Sequence, residues 1–269
     1  MGELPVDADS SGALAAAAGA GPFFGLEPWA HGAGWRPLGV LVSDLPTLRG
    51  RVADARAVIA ARAGLDPLAV EERVAASVMF LGLAARLLSP PLGAAVITGM
   101  VPCLGVGDLW WRPAQGGPWP MAAGPAGARK IGDLSSCGQL TSAAVLLAER
   151  CVQGVIEPVT AAFAAAFGLS LRVLLGNVAS ALAGAAGMLA EAVPDRAEAA
   201  GKLAGRMLTL GPLRGTGELV QPDVSRARWF LIRNSCCLFY RVPGAGTCGD
   251  CVLTPEAVRR QQWQAALRR

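Results

Sequence analysis

The 269-residue chain contains a single histidine, His31. One imidazole cannot supply the two that a Rieske centre needs, and no G-x-S-x-G elbow accompanies it, so Rieske ligation and a His-dependent hydrolase triad are both excluded. His31 reads as an exposed or locally bonded loop residue. No G-x-x-x-x-G-K-[ST] signature occurs and no G-x-G-x-x-G stands at a strand-to-helix junction, leaving no recognisable nicotinamide or nucleotide site. Any redox chemistry here draws its electrons from a partner. Charged residues are also scarce, at 16%, against 53% hydrophobic ones in which Ala and Gly weigh heavily. That balance suits helices packed closely through small side chains more than an aromatic-rich sheet.

The N-terminus opens on Glu3, Asp7 and Asp9, where a secretory signal needs Lys or Arg ahead of its apolar stretch. Seven cysteines, an odd number, form no dense disulfide framework and read as thiols of a reducing compartment, so a cytoplasmic location is expected. Two uncharged stretches, 87–107 and 173–190, reach the length of a membrane span. The first holds Pro90, Pro91 and Pro102, and the second is mostly Ala and Gly around Asn177. Neither composition is that of a true span, so no transmembrane segment is expected and membrane association would be peripheral.

The hydrophobic patterning predicts an all-α domain. Residues 1–28 look like a flexible or partly helical tail of small residues that buries little. An amphipathic helix is expected from Asp44 to Ala63, stopping at Gly64. A second should start at Asp66-Pro67 and run to about Leu88 before Pro90-Pro91 ends it. The Gly-, Pro- and Trp-rich stretch 105–127 suits an irregular excursion or one small β-hairpin. Helix returns over 139–167, broken before Pro158, then over 170–190 and 194–210.

Four cysteines crowd into the last forty residues: Cys236 and Cys237 are adjacent, ten residues follow, and Cys248 and Cys251 form C-x-x-C. Four thiolates meet the ligand demand of a 2Fe-2S cluster or of a structural zinc ion. Zinc sites usually present both ligand pairs as knuckles, and an adjacent pair is atypical there. Two irons sharing bridging sulfides accept more divergent ligand vectors, which favours the cluster. Disulfides rank last, because a ring between adjacent cysteines is strained. Cys103, Cys137 and Cys151 lie in apolar context and read as core thiols.

The segment 233–253 resembles the C-terminal cluster-binding segment of the FhuF-like ferric siderophore reductases, whose pattern is C-C, ten residues, C-x-x-C. Leu174 to Leu182, around Gly176-Asn177, is also similar to that family, with Leu175 where many relatives carry an aromatic. The resemblance implies a mainly α helical bundle with a short irregular cysteine-rich segment. Its divisions would be a tail (1–28), a helical FhuF-like domain (29–231), the cluster segment (232–253) and a C-terminal basic helix (254–269). It implies a 2Fe-2S cofactor on Cys236, Cys237, Cys248 and Cys251, and one-electron reduction of an Fe(III)-siderophore to release Fe(II). The donor would be ferredoxin-like or a flavin reductase. Another redox substrate, or a non-enzymatic module built on structural zinc, are the alternatives.

Arg233, just before the first ligand, and Asn177 are candidates for touching substrate or a cluster sulfur, or for a structural contact. Trp110, Trp111 and Trp119 could line a siderophore pocket or belong to the core. Residues 226–269 hold eight arginines against Asp250 and Glu256. Such a basic end would draw an acidic electron carrier or an anionic ferric complex, with Arg233 biasing the approach. It carries no nucleic-acid reading motif, so no nucleic-acid partner is expected.

Overall fold

A computed structural model describes residues 8–30, 32, 34–114 and 118–268; His31 lies outside the described residues. In chain order the helices are α1 (Ser11–Ala18), α2 (Val40–Ser43), α3 (Leu45–Ala63), α4 (Glu72–Thr98), α5 (Cys137–Leu147), α6 (Glu157–Phe167), α7 (Leu171–Ala192), α8 (Ala197–Met207) and α9 (Glu256–Leu267). The strands are β1 (Ala8–Asp9), β2 (Glu27–Pro28), β3 (Arg36–Pro37), β4 (Met100–Pro102), β5 (Leu109–Trp111), β6 (Met121–Ala123), β7 (Gly127–Lys130), β8 (Gly217–Val220) and β9 (Phe230–Arg233).

The fold is mainly helical, and its centre is the pair α4 and α7, packed on each other and flanked by α1, α3 and α8. Both are long and apolar enough to cross a membrane. Most of that apolar surface is turned inward, however, with 78% of the apolar window of α4 and 56% of that of α7 buried. Several boundaries follow local chemistry. Pro46 lies in the first turn of α3 and Gly64, with φ 67°, ends it. Ser170 Oγ accepts from the Val173 N–H to start α7.

Three expectations need correction. The segment read as a tail that buries little contains α1, whose Ala17 is fully buried, and Phe24, also fully buried. Small residues make that docking possible. A Cβ on Gly93 of α4 would stand 2.8 Å from the Phe24 ring and 3.1 Å from the Ala17 methyl. The second correction is that α4 begins after a short 3₁₀ turn capped by Asp66 and runs straight through Pro90 and Pro91 to Thr98. Each proline removes a helical donor, at a cost of about 3 kcal/mol in an isolated helix. Here residues 87–95 are all buried, and continuous packing outweighs that loss. Third, 139–167 is not broken before Pro158. The chain passes from α5 into π-helical winding over Ala148–Ile156 and on into α6 without leaving helical backbone, and the change of winding falls just before Pro158, where the i−4 ladder must adjust to a residue without an N–H.

There is also more β structure than one hairpin. The expected hairpin exists as β5 and β6, pairing Trp110 with Ala122, and it is the middle of a four-stranded sheet in the order β2-β6-β5-β3. A three-stranded sheet β1-β7-β4 and the hairpin β8-β9 complete the set among the described residues. Strands of two to four residues leave too little alternation to show a period.

Candidate functional site

The hairpin β8-β9 carries the chain onto the side of α7 and α8 and delivers Arg233 into the cysteine segment. Gly176 of α7 lets it come close. A Cβ there would stand 2.0 Å from Ser235 Oγ and 2.9 Å from Arg233 Nη2. Gly201 of α8 does the same for Trp229, whose indole would lie 2.0 Å from an added Cβ. Arg226 and Arg228 then reach back to the last carbonyls of α9, Arg228 Nη1 donating to Ala266 O at 2.8 Å, and Phe230 stacks on Trp263 of α9 at 5.3 Å. Residues of β9 and Trp263 of the C-terminal helix thus line one cleft with Cys237 and Cys248.

The backbone around the thiols is shaped by three turns. Leu238 takes φ 68°, the only left-handed non-glycine among the described residues, and its N–H donates to Cys236 Sγ at 3.3 Å. Gly244 and Gly246, at φ 76° and 72°, reverse the chain, and the Cys251 N–H closes a turn on Cys248 O at 3.2 Å. These turns bring the two cysteine pairs face to face, with Cys237 Sγ and Cys248 Sγ 3.3 Å apart and sharing a hydrogen bond. Cys237 and Cys251 are buried, Cys236 and Cys248 half-buried. Cys103, Cys137 and Cys151 lie elsewhere; Cys151 is in the core as expected, but Cys103 is half-buried and Cys137, at the start of α5, is exposed, which corrects its reading as a core thiol.

The electrostatics divide the thiols. Cys237 is drawn down to about 6 by the Cys248 hydrogen bond, with the Phe239 N–H and the Arg233 charge assisting against burial. Cys248 is pushed far up, by the same bond first and then by burial. Burial raises Cys236, against the Leu238 N–H and Arg233, which lower it.

A buried polar chain ties this segment to the central helices. Arg233 Nη2 donates to Asn177 Oδ1 at 2.9 Å, and Asn177 Nδ2 donates to Ser77 O and Oγ, each at 2.9 Å. Ser77 Oγ donates to the carbonyl of Cys237 at 2.8 Å. On the other side Asp250, inside the C-x-x-C turn, accepts from Ser180 of α7 and lies 3.9 Å from Arg233 Nη1.

Among the alternatives for Asn177 the geometry favours the structural contact: the residue is fully buried with both ends of its amide bonded, and it positions Arg233. Arg233 is only 2% exposed, although it lines the cleft together with Cys237 and Cys248. The basic end is also less free than its composition suggests. Arg226, Arg228, Arg241 and Arg260 are paired with Asp223, Glu191, Glu71 and Glu256. Trp111 is fully buried and stacks on Trp119 at 4.9 Å, while Trp110 stacks on Trp29 at 4.7 Å; none of the three lines the cleft at the cysteines.

That cleft, about 650 Å³, is lined by residues of the Ser180–Glu191 stretch of α7, by β9 and by Trp263, together with Cys237, Cys248 and Asp250. Ser77, Ser180 and Asp250 were not singled out from the sequence. A lone serine among the apolar residues of 74–80 was the available signal for Ser77.

Among the described residues no three His, Cys, Asp or Glu side chains close round a single metal ion. The donor set is nevertheless four thiols on facing turns, with a thiol-directed N–H from Leu238 and buried Arg233 N–H groups that lack acceptors. Such a set fits a two-iron cluster, whose sulfur atoms take hydrogen bonds from the protein. No curated protein matches the chain. Residues 233–253, which begin at Arg233 and contain all four cysteines, match the FhuF 2Fe-2S C-terminal domain. Through that segment the chain is FhuF-like, and its cofactor is a 2Fe-2S cluster.

Proposed function

We propose that Cys236, Cys237, Cys248 and Cys251 hold the cluster and that the protein is a cytoplasmic ferric siderophore reductase. It would take electrons one at a time from an external donor, ferredoxin-like or a flavin reductase. It would pass them to an Fe(III)-siderophore seated in the cleft and release Fe(II). A 2Fe-2S centre with four thiolate ligands supplies one-electron chemistry at low potential. The observation that carries the reading is that Cys237 and Cys248 line a cleft whose size suits a small-molecule ligand.

The residues of the cleft account for the rest. Phe230 and Trp263 offer flat apolar surface beside the thiols, which seats a ligand and excludes water. The Arg228–Glu191 pair, 3.2 Å apart, fixes charge at the rim without leaving a net one. Siderophore oxygens are hard anionic donors that favour Fe(III), so reduction weakens the complex and frees the metal.

Gly187 of α7 lines the cleft, and a Cβ added there meets nothing within 4 Å. Gly187→Trp should fill the cleft, leave the visible spectrum and chemical reduction unchanged, and slow reduction of a ferric siderophore at least tenfold. Wild-type rates with the cleft filled would place the substrate elsewhere.

A further inference from the structure

We infer that Arg233 is the internal counter-charge of the cluster, lending its free N–H groups to cluster sulfur and stabilising the reduced form over the oxidised one. The inference rests on the four-cysteine ligand assignment proposed above.

Arg233 is a cation almost wholly removed from water, with its side chain 1% exposed. A guanidinium has five N–H donors. Nη2 is bonded to Asn177, but Nε and Nη1 have no acceptor among the described residues, and Asp250 at 3.9 Å is beyond hydrogen-bond range of Nη1. Leaving donors of a buried charge unsatisfied costs more than leaving those of a neutral group so. A fold that installs such a residue, and fixes it through Asn177 and Ser77, has a use for those donors.

The neighbours show what the use is. Arg233 lines the cleft together with Cys237 and Cys248. Four thiolates and two sulfides around two ferric ions make a dianion, and one added electron makes a trianion. A fixed positive charge in a low-dielectric site stabilises the trianion more, and N–H···S bonds strengthen as sulfur gains electron density; both raise the potential. Asp250 acts in the opposite direction, but Ser180 holds its carboxylate. Asn177 and Ser77 are the positioning residues, because they set where the guanidinium stands.

The test is a redox titration of purified, cluster-loaded protein, followed by visible and EPR spectra. Arg233→Gln removes the charge and Arg233→Lys keeps it. Gln should weaken the one-electron reduction equilibrium at least tenfold, a downward shift of 59 mV or more, and Lys should fall between Gln and wild type. Equal potentials in wild type and a spectrally intact Gln variant would overturn the inference. If neither variant loads its cluster, wild-type protein carrying ¹⁵N in its arginine guanidinium groups decides. The reduced cluster should show hyperfine coupling to ¹⁵N, and no coupling would overturn the inference. Failure of the ligand assignment looks different, since the cluster bands would then survive replacement of the cysteines whatever Arg233 does.

Discussion

Ser77 on α4 and Cys237 in the C-terminal segment are 160 residues apart in sequence, yet Ser77 Oγ donates to the Cys237 carbonyl at 2.8 Å. The same serine accepts from Asn177 of α7, so one buried chain of hydrogen bonds clamps both central helices to the cysteine turn. The helical body therefore fixes the geometry of the cofactor segment.

Breaking that clamp should loosen the segment. Asn177→Leu leaves Arg233 Nη2 without its acceptor and removes the donor to Ser77, each in a buried setting. We expect a loss of about 2–6 kcal/mol in denaturant unfolding, summed over two unsatisfied groups, with faster loss of the visible bands in chelator. Unchanged stability together with an unchanged bleaching rate would show that the clamp carries no load.

Gly176→Ala should be worse than its chemistry suggests. Alanine is the better helix former by roughly 0.5–1 kcal/mol, but here its methyl would collide with Ser235 Oγ and crowd Arg233. Overpacking of this kind costs about 1–3 kcal/mol. Gly184→Ala, on the same helix with nothing within 4 Å, should be neutral or stabilising. Thermal unfolding of the two variants side by side decides, and equal behaviour would contradict the close docking of the hairpin.

Much of the frame was legible because its signals are local. Asp44 and Gly64 bound α3, with Gly64 in the left-handed C-cap, and Ser170 caps α7 through its hydroxyl. The cysteine spacing, too, is contained within sixteen residues of chain, 236–251. What escaped was settled by distant neighbours. Pro90 and Pro91 read as a stop, yet the packed core around 87–95 carries the helix past them. Ser77 and Asp250 matter only because α4 and α7 meet the C-terminal segment. Arg233 was visible as a charge beside the ligands, but nothing in the sequence said that it would be buried.

Cys151 gives a pH test away from the site. Burial first, then the neighbouring Cys103, push its thiol from 9.0 up to about 12. In the unfolded chain the thiol ionises near its ordinary value while the folded one stays protonated. Stability is therefore full below about pH 9 and declines as pH rises toward about 12. Cys151→Ala should lower stability at pH 7 but flatten that alkaline decline, as measured by urea unfolding at pH 8, 9 and 10. Parallel pH profiles for the two proteins would contradict the buried neutral thiol.

The ligand assignment predicts that replacing any one of Cys236, Cys237, Cys248 or Cys251 with Ser abolishes or strongly destabilises the cluster. The same change at Cys103, Cys137 or Cys151 should leave iron content and visible bands intact. A Cys236→Ser protein with wild-type spectra, or a Cys137→Ser protein that lost its bands, would exchange the roles of these residues.

The central claim is electron transfer from the cluster to a ferric siderophore, and an anaerobic single-turnover experiment addresses it directly. Protein reduced chemically and freed of excess reductant is mixed with a ferric siderophore in the presence of a coloured Fe(II) chelator, and cluster and chelator bands are followed together. The account predicts that the oxidised-cluster bands return as the Fe(II) complex appears, with about one Fe(II) per cluster because the centre moves one electron at a time. A cluster that stays bleached, with no Fe(II) trapped across hydroxamate and catecholate complexes alike, would contradict it.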